Sequence, residues 1–204
     1  AYQISKFDIN VDLYEMRPKV KTEAHQTKYL AELVCSNSFR SDDKEYNAVG
    51  VLHEELRIAD SLIMKCADHN KVPAGSALAV DRDNFSKEVN KTIKSIPNIN
   101  IINQEIRSLN EFKNQRVIVS TGPLTSKTLT ESIKIKTSEN SLAFYDAIAP
   151  IVYEETINMS VAWKQSRYDK GNGDDYINCP LSKEEYYQFI ERIKKAPKME
   201  FKEF

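Results

Sequence analysis

The chain has 204 residues, with 29 basic and 30 acidic side chains, a formal charge of −1 and five glycines. That length allows one domain or one and a half around a buried core, and no apolar run approaches the roughly 20 residues that span a bilayer. Gly50, Gly75, Gly122, Gly171 and Gly173 fit neither G-x-G-x-x-G nor G-x-x-x-x-G-K-[ST], which excludes a complete phosphate-cradling loop, and the balanced charge excludes large sequence-independent nucleic-acid binding while leaving room for a local patch.

Tyr2, Ile4 and Phe7 read as the last turns of an amphipathic helix, and Val11-Asp12-Leu13-Tyr14-Glu15 as a short strand. No signal peptide is expected, because AYQISKFDIN has no small-residue cleavage site behind an apolar run. An acid closing a strand is where a dinucleotide-binding βαβ unit places its ribose ligand, with the glycine fingerprint about 20 residues upstream. Here that point falls before Ala1, so the reading is a chain cut inside the first helix of such a unit. The alternative is an ordinary strand edge with Glu15 on the surface.

A polar loop with Pro18 follows, then Ala31-Glu32-Leu33-Val34-Cys35-Ser36-Asn37-Ser38. Val49, Leu52, Leu56, Ala59, Ile63 and Cys66 recur at three- and four-residue steps, which predicts one helix over residues 46–68. It ends before the breaker cluster Val72-Pro73-Ala74-Gly75. Ala77-Leu78-Ala79-Val80 predicts a short buried strand, and Asn84 or Ser86 is expected to cap a helix that uses Phe85, Val89, Ile93 and Ile96. Residues 99–106 and 116–121 (RVIVST) predict two further strands. A helix over 129–135 and a strand over 142–145 come next. This alternation argues for an α/β layer structure with a largely parallel sheet. After Pro150 the texture changes: residues 167–173 are polar, and 182–195 form a capped helix with Glu near its third position. The expected division is a partial nucleotide-binding domain over 1–148 and the start of a second, mixed α/β domain over 149–204.

Three cysteines and three histidines are scattered without a C-x-x-C pair. That pattern suits neither a disulfide framework nor structural zinc; a reducing cytoplasm and no metal site are expected. Cys35 lies between an apolar tripeptide and Ser36-Asn37-Ser38, near an expected helix start. Backbone N–H groups at a helix N-terminus favour the reactive thiolate; the alternative is a small core residue. Cys66 sits on the apolar stripe and reads as core. Cys179, in Asn178-Cys179-Pro180, reads as core or edge packing. His53, beside the stripe, is expected to face solvent or a neighbour, with no role.

The turn Thr121-Gly122-Pro123 follows an expected strand, where Gly lets the backbone approach a ligand and Thr can donate to phosphate or ribose. Such turns are also common without a ligand. Arg167-Tyr168-Asp169-Lys170 sets two cations around an aromatic ring, which suits an unstacked base and its phosphates. A solvated loop is the alternative.

Taken in order, VDLYEMRP (11–18), AELVCSNSFR (31–40), AVGVLHEELR (48–57), VPAGSALAVDR (72–82), STGPLTS (120–126), FYDAIAPIV (144–152), SRYDKG (166–171) and DYINCP (175–180) resemble the bacterial folate- and FAD-dependent tRNA (uracil-5-)-methyltransferases. The likeness covers nearly the whole chain. The wobble-uridine-modifying flavoproteins of the MnmG type share the architecture but differ in these stretches. The resemblance implies an incomplete Rossmann-like FAD-binding domain over 1–148. It also implies a methylene passed from 5,10-methylenetetrahydrofolate to C5 of a tRNA T-loop uridine, with FAD as carrier and NAD(P)H as reductant. Residue by residue, Cys35 matches the family's first functional cysteine, with proton handling or adduct protection as its role and nucleophilic attack as the alternative. Glu15 matches the ribose-binding acid, with Arg17 and Ser36 beside the cofactor. Thr121, Gly122 and Pro123 match a second FAD-contacting turn, and Arg167, Tyr168 and Lys170 become candidate RNA contacts. Cys179 matches a cysteine tied to the fold of the second domain.

Departures from the pattern shape the expectation. The family's glycine-rich loop precedes Ala1, and its second catalytic cysteine, in a Gly-Cys-Met-Pro stretch, lies beyond Phe204. The 204-residue chain alone is therefore expected neither to hold FAD tightly nor to methylate RNA; a yellow purified chain would overturn that. The same chemistry on a ribosomal RNA uridine, and a non-catalytic RNA-binding piece, are the alternatives.

Overall fold

The computed structural model describes residues 1–138, 152–167 and 173–198. It divides into two compact units: one of Ala1–Val72 and Ser76–Ala149, the other of Pro73–Gly75 and Pro150–Phe204.

In the first unit, a single helical turn α1 (Tyr2–Ser5) leads into β1 (Val11–Glu15). β1 pairs in parallel with β5 (Ile99–Asn103), from Val11 opposite Ile99 to Glu15 opposite Asn103. Both strands therefore end at the same edge, the side on which open α/β sheets place their ligands. A second sheet is antiparallel, in the order β2 (Ser38–Ser41), β4 (Ala77–Val80), β3 (Lys71–Val72). The α/β class holds, with parallel pairing among the described residues confined to β1 and β5.

The expected helix over 46–68 is two helices. α2 (Ala48–Ile58) starts at Asn47, whose side chain accepts from Val49 N, and α3 (Leu62–His69) starts at Ser61, which caps Met64 N. Asp60, at φ 54°, reverses the chain between them. Apolar spacing runs unbroken across this joint, so periodicity alone reads one helix. The break changes which face is buried: Leu52 is 50% exposed, while Gly50 and His53 are covered. From α3, Leu62, Met64, Cys66 and Ala67 enter the core.

α4 (Arg82–Lys94) follows the predicted stripe, burying Phe85, Val89 and Ile93 against Leu78 and Val80 of β4. Its cap is Asp81, which accepts from Asn84 N at 2.9 Å, and not Asn84 or Ser86. Ser86 instead donates back to the Arg82 carbonyl at 2.8 Å inside the helix.

The stretch 116–121 forms no strand. Ile118 is 74% exposed, and β-branched residues make a strand only where another backbone completes the ladder. α5 (Lys127–Thr137) matches the predicted helix, and the strand expected over 142–145 lies outside the described residues.

The second unit holds an antiparallel hairpin of β6 (Trp163–Lys164) and β7 (Ile177–Asn178) and the helix α6 (Lys183–Lys195). Ser182 and Glu185 form the expected capping box at the start of α6. Asp175 Oδ2 accepts from Gly75 N at 2.8 Å and from Ser166 Oγ at 3.0 Å, tying the hairpin to the Pro73–Gly75 turn.

Candidate functional site

The carboxylate that ends β1 is not a free surface acid. Glu15 Oε1 accepts from Arg17 N and Arg17 Nε, each at 2.9 Å, and Oε2 accepts from Arg17 Nη2 at 3.0 Å. Arg17 is only 5% exposed, and its Nη1 donates to Glu32 Oε2 at 2.8 Å. Glu32 Oε1 then takes the N–H groups of Gln26 and Thr27 at 2.8 and 3.0 Å, which folds the polar loop onto the cluster. Asn103, at the end of β5, donates to the Arg17 carbonyl at 2.5 Å.

One guanidinium thus faces two carboxylates. Burial alone pushes Glu15 up, but the hydrogen bonds and charge of Arg17 outweigh it and hold the carboxyl below its ordinary range. Burial lowers His25, and the nearby Arg17 charge adds to that, so its imidazole stays neutral at neutral pH. Glu15 Oε2 takes a single hydrogen bond among the described residues and keeps acceptor capacity for a hydroxyl. Its place at the carboxyl edge of a parallel pair fits the ribose end of a dinucleotide.

Cys35 is half-buried in a stretch without helix or strand, so the expected helix start beside it is absent from its own segment. The loop is held by a different element. Arg82 Nη2, at the start of α4, donates to the Cys35 carbonyl at 3.3 Å. Asn37 exchanges two bonds with Val80: Val80 N donates to its carbonyl at 2.9 Å, and Asn37 Nδ2 donates to the Val80 carbonyl at 3.0 Å. Ser36 Oγ accepts from Ser38 N at 3.1 Å and tightens the turn beyond the thiol.

The other cysteines differ. Cys66 is 1% exposed, and burial, with the Glu88 carboxylate beside it, pushes its thiol up to about 11. Cys179 is exposed, contrary to the packing expected of it; it follows β7, which is only two residues long.

Thr121 and Gly122 are exposed where a short 3-10 turn over Gly122–Leu124 begins, with Gly122 at φ 69°, a conformation that glycine adopts freely. Among the described residues, a side chain at Gly122 would meet nothing within 4 Å. Thr125 Oγ1 braces the turn from the Gly122 carbonyl at 2.8 Å. No hydrogen bond among the described residues joins this turn to Glu15 or to Cys35. Arg167 is exposed in the second unit, while Tyr168 and Lys170 lie outside the described residues.

Of the two surroundings expected for His53, solvent or a neighbour, the structure shows the neighbour. His53 is 5% exposed, with Nδ1 3.0 Å from Asp42 Oδ1, and Arg57 Nη2 contacts both Asp42 oxygens at 2.9 and 3.0 Å. The amphipathic pattern placed His53 off the stripe; the break at Asp60 turned that face inward. Sequence reasoning also missed Glu32 and Arg82. Both lie inside the quoted family stretches, but neither pairs with its partner at a spacing that a linear pattern encodes.

The whole chain, residues 1–204, matches the family described as glucose inhibited division protein A. Curated relatives named methylenetetrahydrofolate--tRNA-(uracil-5-)-methyltransferase TrmFO are similar throughout. The protein of Bartonella henselae is 55% identical, with 100% of this chain and 44% of the relative covered. That of Bradyrhizobium diazoefficiens is 57% identical over 100% of this chain and 44% of its own length. That of Paramagnetospirillum magneticum is 54% identical over 100% and 46%. The chain therefore spans less than half the length of the relatives it matches.

Proposed function

The chain belongs to the glucose inhibited division protein A family, and from that premise we propose that it carries the Cys35-bearing part of a folate- and FAD-dependent tRNA (uracil-5-)-methyltransferase. The observation that carries this reading is Cys35 within ELVCSNS, in a chain 55% identical over its full length to a relative named for that reaction. Residues 1–148 are assigned to the FAD-binding part and 149–204 to a second domain.

Glu15, fixed by Arg17, would hold a ribose hydroxyl of FAD, with Ser36 and the turn at Thr121, Gly122 and Pro123 along the cofactor. When bound, FAD supplies redox and one-carbon carrier chemistry, with 5,10-methylenetetrahydrofolate as carbon source and NAD(P)H as reductant. The protein's part is at the base. Uracil C5 is a weak nucleophile until a thiolate adds at C6, and its C5 proton must then go to a base. Cys35 is assigned proton handling or protection of the thiol adduct, with nucleophilic attack at C6 as the other option. Such a base must be splayed from its loop to react, and Arg167, Tyr168 and Lys170 are assigned to the RNA that presents it.

The test is Cys35→Ala in the native full-length polypeptide. Methylation is expected to be abolished with FAD still bound, and retained turnover would overturn the assignment. Mapping 5-methyluridine in tRNA and ribosomal RNA from a strain lacking the gene decides the substrate. Loss from the tRNA T loop is expected. We place the reaction in the cytoplasm; no helix among the described residues is long and apolar enough to cross a membrane.

A further inference from the structure

We propose that Arg82 is the positioning residue of the Cys35 thiol, acting through the Cys35 carbonyl. The first turn of α4 then serves as the seat of the reactive loop. This inference rests on the methyltransferase reading above.

The loop has no regular structure of its own, yet it is stapled to one short stretch of chain at three points. Ser86 Oγ donates to the Ala31 carbonyl at 3.4 Å, Arg82 Nη2 to the Cys35 carbonyl at 3.3 Å, and Val80 exchanges two bonds with Asn37. The seat is rigid. Val80 is 0% exposed, Phe85 1% and Ser86 2%, and Phe39 packs its ring edge-on to Phe85 with centroids 5.5 Å apart. Of these staples only Arg82 touches the cysteine's own peptide. Holding that carbonyl fixes the peptide plane that follows Cys35 and, with the Ala31 carbonyl held upstream, narrows the directions in which the Sγ-bearing bond can leave the backbone.

Helix stability does not explain Arg82. A cation in the first turn opposes the helix dipole, which favours anions there. Nor does an ion pair, since the Cys35 carbonyl is the one hydrogen-bonding partner of its side chain among the described residues. The planar guanidinium carries five N–H donors, of which Nη2 supplies the one used. A half-buried arginine at the unfavourable end of a helix, spent on one carbonyl beside the motif cysteine, is placed for the loop and not for the helix.

The experiment uses the native full-length polypeptide with FAD, comparing wild type, Arg82→Gln, Arg82→Lys and Cys35→Ala. Arg82→Gln is expected to lower kcat for uridine methylation by ~10- to ~100-fold, the range that a small misplacement of a reacting group produces. KM for RNA and the melting temperature should stay at the wild-type values. Amide hydrogen exchange should rise across residues 31–37 and stay slow in β4. Arg82→Lys, which keeps a cationic donor, should recover part of the rate. Unchanged kcat in Arg82→Gln beside an inactive Cys35→Ala overturns the positioning role alone. An active Cys35→Ala overturns both the role and the reading beneath it. Equal losses in both Arg82 variants with a lowered melting temperature make Arg82 a folding residue and also overturn the role.

Discussion

Arg17 and Glu15, two residues apart at the end of β1, are joined by three hydrogen bonds at 2.9, 2.9 and 3.0 Å while the same guanidinium reaches Glu32 at 2.8 Å. Side-chain exposure is 6% for Arg17, 17% for Glu15 and 9% for Glu32. Removing the cation would leave two shielded carboxylates facing each other. Breaking a buried ion pair from one side typically costs ~3–5 kcal/mol, because the remaining charge is uncompensated. Arg17→Met is therefore expected to destabilise the native polypeptide by that order in urea unfolding. Arg17→Lys should fall between, since a single ammonium cannot fork across both acids. Equal stability of Arg17→Met and wild type would show that the two glutamates protonate or rehydrate at no cost.

Acid should unfold the protein through two carboxylates in particular. Burial alone raises Glu15 and Asp42, but Arg17 holds the first below its ordinary value, and Arg57 and His53 hold the second below its own. A carboxyl with a depressed folded pKa adds stability that is fully present above the unfolded value, about 4. That stability is lost as pH falls through the folded value. Urea midpoints should drift down between pH 7 and about 5, because His25 is held neutral in the folded chain and takes a proton when unfolded, and should drop steeply below about 4 as the two carboxylates protonate. Asp42→Asn should lower the neutral-pH midpoint and make the acid limb shallower. A variant with an unchanged acid limb would remove Asp42 from this account.

How far the sequence could be read follows from what each signal encodes. The stripe Phe85, Val89, Ile93 was legible because helix periodicity and burial coincide in α4, and the Ser182–Glu185 box because a cap is a local, four-residue event. The joint at Asp60–Ser61 was not, because the apolar spacing continues across it while the chain turns through a left-handed residue. The stretch 116–121 carried strand chemistry, but a strand is a pairing between segments, and its own residues do not specify the partner. At the candidate site, Cys35 and Glu15 came from motif and position. Arg82 lies 47 residues from Cys35, and Glu32, the second carboxylate on Arg17, lies 15 residues from that arginine, both beyond any local pattern.

The three thiols should separate cleanly in an alkylation time course read by mass spectrometry. Cys179 is exposed, Cys35 half-buried, and Cys66 buried at 1% exposure with its thiol pushed up to about 11 by burial and by Glu88. Only the thiolate reacts, and less than about 1% of such a thiol is ionised at pH 8. Iodoacetamide at pH 8 should label Cys179 and Cys35 in the folded protein. Cys66 should react only when urea opens the core. Early labelling of Cys66 under native conditions would mean that α3 leaves β4 far more readily than its packing indicates.

Gly50→Ala sets two effects of opposite sign against each other. In the first turn of α2 an alanine gains at most the ~1 kcal/mol that it holds over glycine in a helix interior. A Cβ at this position, however, would lie 2.3 Å from the carbonyl carbon and oxygen of Asp43 and 2.6 Å from Lys44 N. These are backbone atoms of the turn that lies on α2, and the turn follows directly on Asp42, which binds His53 and Arg57. It cannot retreat without pulling on that ion pair. Overpacking of this kind costs ~1–3 kcal/mol, and with the ion pair strained as well the clash exceeds the propensity gain. The substitution should lower the urea midpoint with an unchanged slope, and combining it with Arg57→Met should cost less than the sum of the two single changes, because both act on the same turn. A stabilised Gly50→Ala protein would show that the 43–44 turn is free to move, and that the approach of turn to helix does not require glycine.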